Sequence, residues 1–234
     1  MTLRLHLSAF DSDHYALRIG VLGPGGDLDA AIASARRDGY DVVFVRLLDT
    51  DPWCGELERR GHRPVDTLVT STLTDELAPA HPAIPVEHHA TVTGADADAI
   101  VAITTATIHT SHLHADPRLP AARTQALYAA WIRNDLAGRA ERTLVARDGG
   151  EVIGYLAALV RDDTAIIDLI AVRPDWHGRG VGSALIASFV DWVRERGLGA
   201  TVGTQADNPA LRLYARCGFA PTTTQLTYHL WLDA

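Results

Sequence analysis

A glycine-rich segment that contains an arginine is the part of the sequence best suited to bind a ligand. Gly178, Gly180 and Gly182 alternate with other residues, and Arg179 lies between the first two. Glycine lacks a Cβ atom, so such a segment can turn tightly and bring its backbone close to an anion. If the segment opens into a helix, the unpaired N–H groups of the first turn and the helix dipole favour a phosphate. The chemistry indicated is therefore phosphate or pyrophosphate binding.

The flanking residues predict the strand and the helix that such a loop needs. Residues 164–172 are apolar and rich in β-branched side chains, as in a buried strand. Residues 183–196 carry apolar side chains on one helical face, and Gly197 ends that helix. No Gly-Lys-Ser/Thr follows the glycines, which excludes a Walker loop, and their spacing differs from the dinucleotide fingerprint. An ordinary glycine-rich turn is the structural alternative.

The composition excludes several classes of function. The net charge of −8 argues against nucleic acid or an acidic membrane as a partner. All 21 basic residues are arginine, so Schiff-base chemistry on a lysine is excluded. Cys54 and Cys217 form no Cys-x-x-Cys motif, so a cysteine zinc site is not expected. Neither a signal segment nor a run of transmembrane length is found, and we expect a cytoplasmic protein.

The loop resembles motif A of the GNAT acetyltransferases, Val-x-Pro-x-x-[Gln/Arg]-Gly-x-Gly-x-Gly. Val172, Pro174 and the three glycines match this pattern, whereas His177 takes the Gln/Arg position. The resemblance implies that the strand and loop hold the pantetheine and pyrophosphate of acetyl-CoA.

A downstream segment resembles motif B of the same family, in which Asn is followed by Ala and then by Leu-Tyr-x-x-x-Gly-Phe. Asn208 and Tyr214 take the functional positions. The resemblance implies that Asn208 reaches the pantetheine and that Tyr214 protonates the leaving CoA thiolate. A helix cap for Asn208 and a packing role for Tyr214 are the alternatives. The residues assigned to acetyl-CoA are Leu169, Ile170, Ala171, Val172, His177, Gly178, Arg179, Gly180, Val181, Gly182, Ser183, Asn208 and Arg216.

Acyl transfer to an amine also needs a base and an acceptor site. Asp168, in the predicted strand, could remove a proton directly or through water, and pairing with an arginine is its alternative role. In GNAT folds the histidine-rich segment 109–118 borders the acceptor, and a solvated loop is the alternative. Its His-x-x-His-x-His spacing is not standard for a metal, so no metal is predicted. The residues assigned to the acceptor are His109, His112, His114 and Trp131.

The order of the predicted elements gives the fold class. From about residue 86 it runs strand, two helices, three-strand meander, helix, strand, helix and strand, which is the GNAT order. We therefore predict an α+β protein with a mixed, mostly antiparallel sheet flanked by helices. Prolines between residues 79 and 85 suggest a linker. The predicted division is an accessory α/β domain at 1–78, a linker at 79–87 and a GNAT domain at 88–234.

The first part of the chain repeats features of the last part at a constant offset. We predict that residues 15–75, starting with a strand over 15–22, are a degenerate copy of the second half of the GNAT fold. Leu57 stands where the second copy has Tyr214, and the glycine spacing is missing, so this copy is expected to be structural. Chance coincidence of turn residues is the alternative. The pairs 157 residues apart are Pro52/Pro209, Arg59/Arg216, Gly61/Gly218, Pro64/Pro221, Thr67/Thr224 and Leu73/Leu230.

Features spread along the chain resemble the TDP-fucosamine (TDP-4-amino-4,6-dideoxygalactose) N-acetyltransferases. They lie in residues 10–15, 111–118, 129–134, 204–205 and 225–231. The resemblance implies acetyl transfer from acetyl-CoA to the amine of a nucleotide-linked amino sugar, and we expect direct transfer in a ternary complex. Open alternatives are a natural-product or antibiotic GNAT using another acyl-CoA, an acyl carrier protein or another amine, and an acyl-CoA sensor without turnover. A homodimer through the final strand is also left open.

Overall fold

The computed structural model describes residues 5–74 and 84–232. Residues 79–83 of the predicted linker lie outside the described residues, and the next strand begins at Val86. The described strands are β1 (Leu5–Leu7), β2 (Ile19–Leu22), β3 (Val42–Leu48), β4 (Asp66–Leu73), β5 (Val86–His89), β6 (Arg142–Asp148), β7 (Glu151–Arg161), β8 (Thr164–Val172), β9 (Gly199–Gln205) and β10 (Phe219–Trp231). The described helices are α1 (Ala9–Tyr15), α2 (Leu28–Arg37), α3 (Pro52–Arg59), α4 (Gly94–Thr107), α5 (His112–Ala115), α6 (Ala121–Asn134), α7 (Val181–Glu195) and α8 (Ala210–Arg216).

The chain divides into two compact units that are each built from separate stretches. The first unit contains Met1–Val69, Thr110–Leu127 and Thr223–Ala234, and the second contains Thr70–His109 and Tyr128–Thr222. The contiguous division into 1–78, 79–87 and 88–234 stays a prediction.

In the first unit the strand order is β1-β2-β3-β10-β4. Strands β2 and β3 are parallel and are joined by α2, whereas β10 runs antiparallel to β3. Asp27 caps α2 by accepting a hydrogen bond from the N–H of Ala30 at 3.0 Å. Helices α2 and α3 pack buried apolar side chains, Leu57 among them, against this sheet. The predicted strand over 15–22 was wrong at its start, because Tyr15 ends α1 and the strand begins at Ile19.

The element order of the early chain matches that of the late chain. The series β2-α2-β3-α3-β4 parallels β8-α7-β9-α8-β10, and both β2/β3 and β8/β9 are parallel pairs. The helix caps also correspond: Asp51 accepts from the N–H two residues on at 2.8 Å, and Asn208 does so at 2.9 Å. Gly61 and Gly218 follow the two helices with φ of 85° and 89°. These local structures agree with the predicted half-GNAT repeat.

The second unit holds the part of β4 from Thr70 onward and the part of β10 up to Thr222. Its remaining strands follow in the order β9-β8-β7-β6-β5. Strands β5 to β8 form antiparallel pairs, and β8 and β9 are parallel. Helix α7 packs side chains such as Leu185 and Phe189 into the core of this sheet. Tyr155 of β7 is buried and hydrogen-bonds Thr104 of α4 at 2.7 Å. The predicted strand at 164–172 is confirmed. Among the described residues, no helix is long and apolar enough to cross a membrane.

Candidate active site

Strand β8 contains a bulge at Asp168. On the β7 side, Leu169 pairs with Ala157 and Ile167 pairs with Ala158, so Asp168 is left outside the ladder. A bulge bends its strand and re-aims the side chains next to it. The bulge therefore sets the direction of a polar side chain within an otherwise apolar strand.

The pairing between β8 and β9 ends at the same position. It runs from Thr164 with Gly199 to Ile167 with Val202, although both strands continue further. On the β9 side, residues 169–172 are thus without strand pairing in the described chain. Unpaired backbone groups of this kind need another hydrogen-bond partner, which an extended ligand can supply.

The loop after β8 turns at glycines with left-handed backbone angles. Gly178 has a φ of 74°, and Gly180, the N-cap of α7, has a φ of 84°. Other residue types would be strained at these angles. Because α7 begins at Val181, its unpaired N–H groups and the positive end of a 15-residue helix dipole lie at this loop. The helix N-terminus that the sequence predicts after the glycine loop is therefore present, and anion binding there stays a prediction.

Two side chains of the loop have distinct partners. His177 Nε2 lies 2.8 Å from the carbonyl oxygen of Val172, so the ring donates to the end of β8. The Arg179 guanidinium lies 4.9 Å from the centre of the Trp176 ring, and Arg179 is exposed. His177 thus ties the loop to its strand, and Arg179 provides positive charge at the surface.

Gly182 allows a close approach between the start of α7 and a leucine side chain. A Cβ atom at Gly182 would lie 2.9 Å from Cδ2 of Leu213, a residue of α8. The close approach holds the start of α7 against α8. Of the other residues assigned to acetyl-CoA, Leu169, Ala171 and Val181 are buried, and Ile170, Val172 and Ser183 are half-buried.

Helix α8 carries the predicted acid. Asn208 accepts from the N–H of Ala210, so its predicted alternative role as a helix cap is present. Tyr214 is 4% exposed. Burial, followed by the neighbouring Cys217, raises the pKa of Tyr214 above its ordinary value, so its phenol is protonated at neutral pH. Arg216 is exposed in the last turn of the helix.

Asp168 is held by two donors. Trp131 Nε1 donates to Asp168 Oδ2 at 2.7 Å, and the Arg139 guanidinium forms an ion pair with the same carboxylate. Trp131 also stacks on Tyr128, with 5.6 Å between ring centres. The predicted base and one predicted acceptor residue therefore lie side by side, and the arginine pairing considered for Asp168 is present.

A second carboxylate, Asp135, lies beside this group and is fully buried. Arg139 Nη2 is 2.6 Å from Asp135 Oδ1, but the contact lacks hydrogen-bond geometry. Asp168 and Arg139 are the groups that approach Asp135 at hydrogen-bonding range, and neither oxygen of Asp135 meets full hydrogen-bond geometry. Burial, and then the charge of Asp168, raises the pKa of Asp135 to about 7. Its protonation state therefore changes near neutral pH.

The first unit holds a chain of hydrogen bonds through two histidines. His112 Nδ1 lies 2.8 Å from His229 Nε2, and His229 Nδ1 lies 2.6 Å from Asp116 Oδ2. Trp231 Nε1 donates to the same carboxylate oxygen at 2.9 Å. Burial would raise the pKa of Asp116, but these donors outweigh it and lower that pKa. Phe44 stacks on His229 with 4.1 Å between ring centres.

The carboxylate determines the tautomers of both rings when they are neutral. His229 donates from Nδ1 to Asp116, so its Nε2 accepts from Nδ1 of His112. Nε2 of His112 then carries a lone pair. Burial first, and then the neighbouring charges, hold the pKa of His112 well below its ordinary value, which favours this neutral form. The network can therefore accept a hydrogen bond or a proton at His112 Nε2.

The residues assigned to the acceptor fall in both units. His109, in the second unit, is exposed, and its Nε2 lies 3.0 Å from the carbonyl oxygen of Ala106. His114, in the first unit, contacts Ser111 Oγ through Nδ1 at 2.8 Å. Within residues 5–74 and 84–232, no group of three His, Cys, Asp or Glu side chains could hold a metal ion.

Sequence reasoning missed the partners of the predicted residues. Trp131, Asp135 and Arg139 are spaced four apart, and that spacing could have placed them on one helical face. Asp116 and His229 lie within segments that carry the family resemblance, but they are 113 residues apart, so local pattern gave no sign of the pair.

Comparison with known proteins identifies a family that matches the middle and late parts of the chain. Residues 108–219 match the family described as the Acetyltransferase (GNAT) family. The chain is also similar to the spore coat polysaccharide biosynthesis protein SpsD of Bacillus subtilis (strain 168). The two are 37% identical over 138 residues, which cover 58% of this chain and 48% of SpsD. The chain therefore spans about half of the length of that relative.

Solved structures share the fold. A GCN5-related N-acetyltransferase from Sphaerobacter thermophilus has a TM-score of 0.62 and 17% identity, over 92% of this chain and 74% of its own. A tandem GNAT protein from the clavulanic acid biosynthesis pathway has a TM-score of 0.61 and 15% identity, over 92% and 76%. The predicted GNAT fold is thus confirmed.

Proposed function

We propose that this chain, whose residues 108–219 match the Acetyltransferase (GNAT) family, transfers an acetyl group from acetyl-CoA to a primary amine of a small molecule, specifically a nucleotide-linked amino sugar. The acetyl group moves directly between the two substrates in a ternary complex. The protein's partners are accordingly acetyl-CoA and the amine. A cytoplasmic location, a homodimer and the absence of nucleic-acid, membrane and metal partners stay predictions.

The observation that carries this proposal is the separation of β8 from β9 directly before the glycine loop. The unpaired backbone of residues 169–172 can hydrogen-bond the amide groups of an extended pantetheine. The loop at Gly178 and Gly180 then presents the N-terminus of α7 to the pyrophosphate. Arg179 adds a positive charge at the surface of the same loop.

Tyr214 is proposed as the acid. The amine nitrogen attacks the acetyl carbon, the C–S bond breaks, and the phenol of Tyr214 gives its proton to the departing thiolate. The phenolate regains a proton that the new amide nitrogen loses. The burial of Tyr214 supports this role, since a phenol with a raised pKa is fully protonated before the reaction. Asn208 can contact the pantetheine with its amide group while it caps α8.

The amine acceptor is proposed to bind at Trp131 and Asp168 in the second unit. Their hydrogen bond fixes an indole face next to a carboxylate, a combination suited to a sugar ring that carries an ammonium group. The acceptor roles of His109, His112 and His114 stay predictions. The name of the similar SpsD protein refers to polysaccharide biosynthesis, which favours a sugar among the possible amines.

The proposal is tested with Tyr214→Phe, which removes the hydroxyl and keeps the ring. We expect turnover with acetyl-CoA and an amino-sugar nucleotide to fall by about 10²-fold or more, with unchanged affinity for acetyl-CoA in calorimetry. Tyr40→Phe, which removes a phenolic hydroxyl from a half-buried tyrosine of the first unit, is the matched control. Full turnover in the Tyr214→Phe variant would remove Tyr214 as the acid, and parallel-line initial-rate kinetics would contradict direct transfer.

A further inference from the structure

Two carboxylates in the second unit share one arginine. Asp168 is paired with Arg139, and the same guanidinium lies 2.6 Å from Asp135. The side chain of Asp168 is 13% exposed, whereas that of Asp135 is fully buried. One positive charge cannot offset two negative charges at low dielectric, so full ionisation of both carboxylates is disfavoured.

Asp135 is also short of hydrogen bonds. Both of its oxygens are buried, and their close contacts with Asp168 and Arg139 fall short of full hydrogen-bond geometry. Buried ionised carboxylates normally accept several hydrogen bonds, and the cost of leaving them unmade is substantial. An ionised Asp135 would therefore be costly at this buried position. A proton on Asp135 removes most of the cost.

The charged groups that act on Asp135 are Asp168 and Arg139. Tyr155 of β7 interacts electrostatically with both carboxylates and with Tyr128 of α6. Burial raises the pKa of Tyr155, so this phenol is neutral over the working range of pH. Arg139 thus supplies the single neighbouring cation for Asp135 and Asp168.

We propose that Asp135 and Asp168 act as one proton-accepting pair that deprotonates the acceptor's ammonium group, with Asp168 as the catalytic residue and Asp135 as its positioning residue. The inference rests on the proposed function. The ammonium nitrogen gives one proton to Asp168 and becomes the neutral amine that attacks the acetyl carbon. The protonation state of Asp135 determines how much negative charge lies next to Asp168. After the transfer, the pair releases the proton to solvent. The bulge at Asp168 turns the exposed member of the pair out of the strand ladder.

The test compares the pH profiles of kcat/KM for the wild type, Asp135→Asn and Asp168→Asn. We expect the acidic limb of the wild type to lie near neutral pH and to move down by more than one pH unit in Asp135→Asn. Asp168→Asn should lose about 10²-fold or more in kcat across the profile. Asp98→Asn, on the surface in a pair with Arg133, is the control and should match the wild type.

A readout without substrate separates this inference from the proposed function. Carbon-13 NMR of the aspartate carboxyls should show a group that titrates near neutral pH in the wild type and is absent in Asp135→Asn. If no amine is acetylated by the wild type, the proposed function fails, and the NMR titration still decides whether the pair exists. An unmoved acidic limb in a folded Asp135→Asn variant, or no carboxyl titrating near neutrality, would overturn the pair.

Discussion

Replacing Asp135 by Asn should change how the stability of the protein depends on pH. The ordinary pKa of an aspartate is 3.8, and burial together with the charge of Asp168 raises it to about 7 in the folded chain. An acid with a higher pKa in the folded state binds more protons when folded, over the interval between the two values. The free energy of unfolding therefore falls as pH rises through this interval and levels off above it.

The size of the effect follows from the two pKa values. Their separation is roughly 3 units, which corresponds to about 4 kcal/mol at 1.36 kcal/mol per unit. About 3 kcal/mol of this loss falls between pH 5 and pH 8. Asparagine cannot ionise, so the free energy of unfolding of the variant does not fall for this reason as the pH rises. The variant should gain stability relative to the wild type by about 3 kcal/mol over that range.

The assay is urea denaturation of both proteins at pH 5 and pH 8 at constant ionic strength. Carboxyls remote from this site titrate equally in the two proteins, so the difference between them isolates Asp135 together with its coupled partner Asp168. Asp98→Asn provides an exposed control, for which no such pH-dependent difference is expected. A stability difference between Asp135→Asn and the wild type that is the same at both pH values would refute the reasoning.

Two further predictions concern packing and proton placement. Gly182→Val should lower the free energy of unfolding by about 1–3 kcal/mol, because its side chain would overlap Leu213, and urea denaturation measures this. A urea midpoint for Gly182→Val equal to that of the wild type would contradict this prediction, because it would show that α7 and α8 can move apart. Nitrogen-15 NMR of the imidazoles at neutral pH should show His112 with an unprotonated Nε2 and His229 with a protonated Nδ1, whereas Asp116→Ala should lose this preference. A protonated His112 Nε2 in the wild type would contradict the tautomers assigned from the hydrogen-bond chain.

The sequence allowed the strand, the glycine loop and the following helix to be predicted because their signals are local. The glycine spacing, the apolar strand β8 and the amphipathic helix α7 each occupy a short stretch of chain. The seven-residue helix α1 was missed, since so short a helix carries little periodic signal. The repeat was predicted from turn and helix-end residues at a constant offset. The matching caps at Asp51 and Asn208 agree with that prediction.

The bulge and the polar networks could not be predicted in the same way. The position of the bulge at Asp168 depends on the register between β7 and β8, which residue types alone do not specify. Asp135 becomes unusual through its burial and through Asp168, a residue 33 positions away in the numbering. The contact of Asp116 with His229 joins residues far apart in the chain. Such properties depend on tertiary structure.

The most direct test of the proposed function is the release of free CoA thiol from acetyl-CoA by the wild-type protein. The amines to compare are nucleotide-linked amino sugars, amino acids and aminoglycosides, with mass spectrometry of each product. We predict thiol release that depends on a nucleotide-linked amino sugar, together with a product heavier by one acetyl group. Binding of acetyl-CoA without acetylation of any of these amines would contradict the proposed acetyltransferase activity toward them.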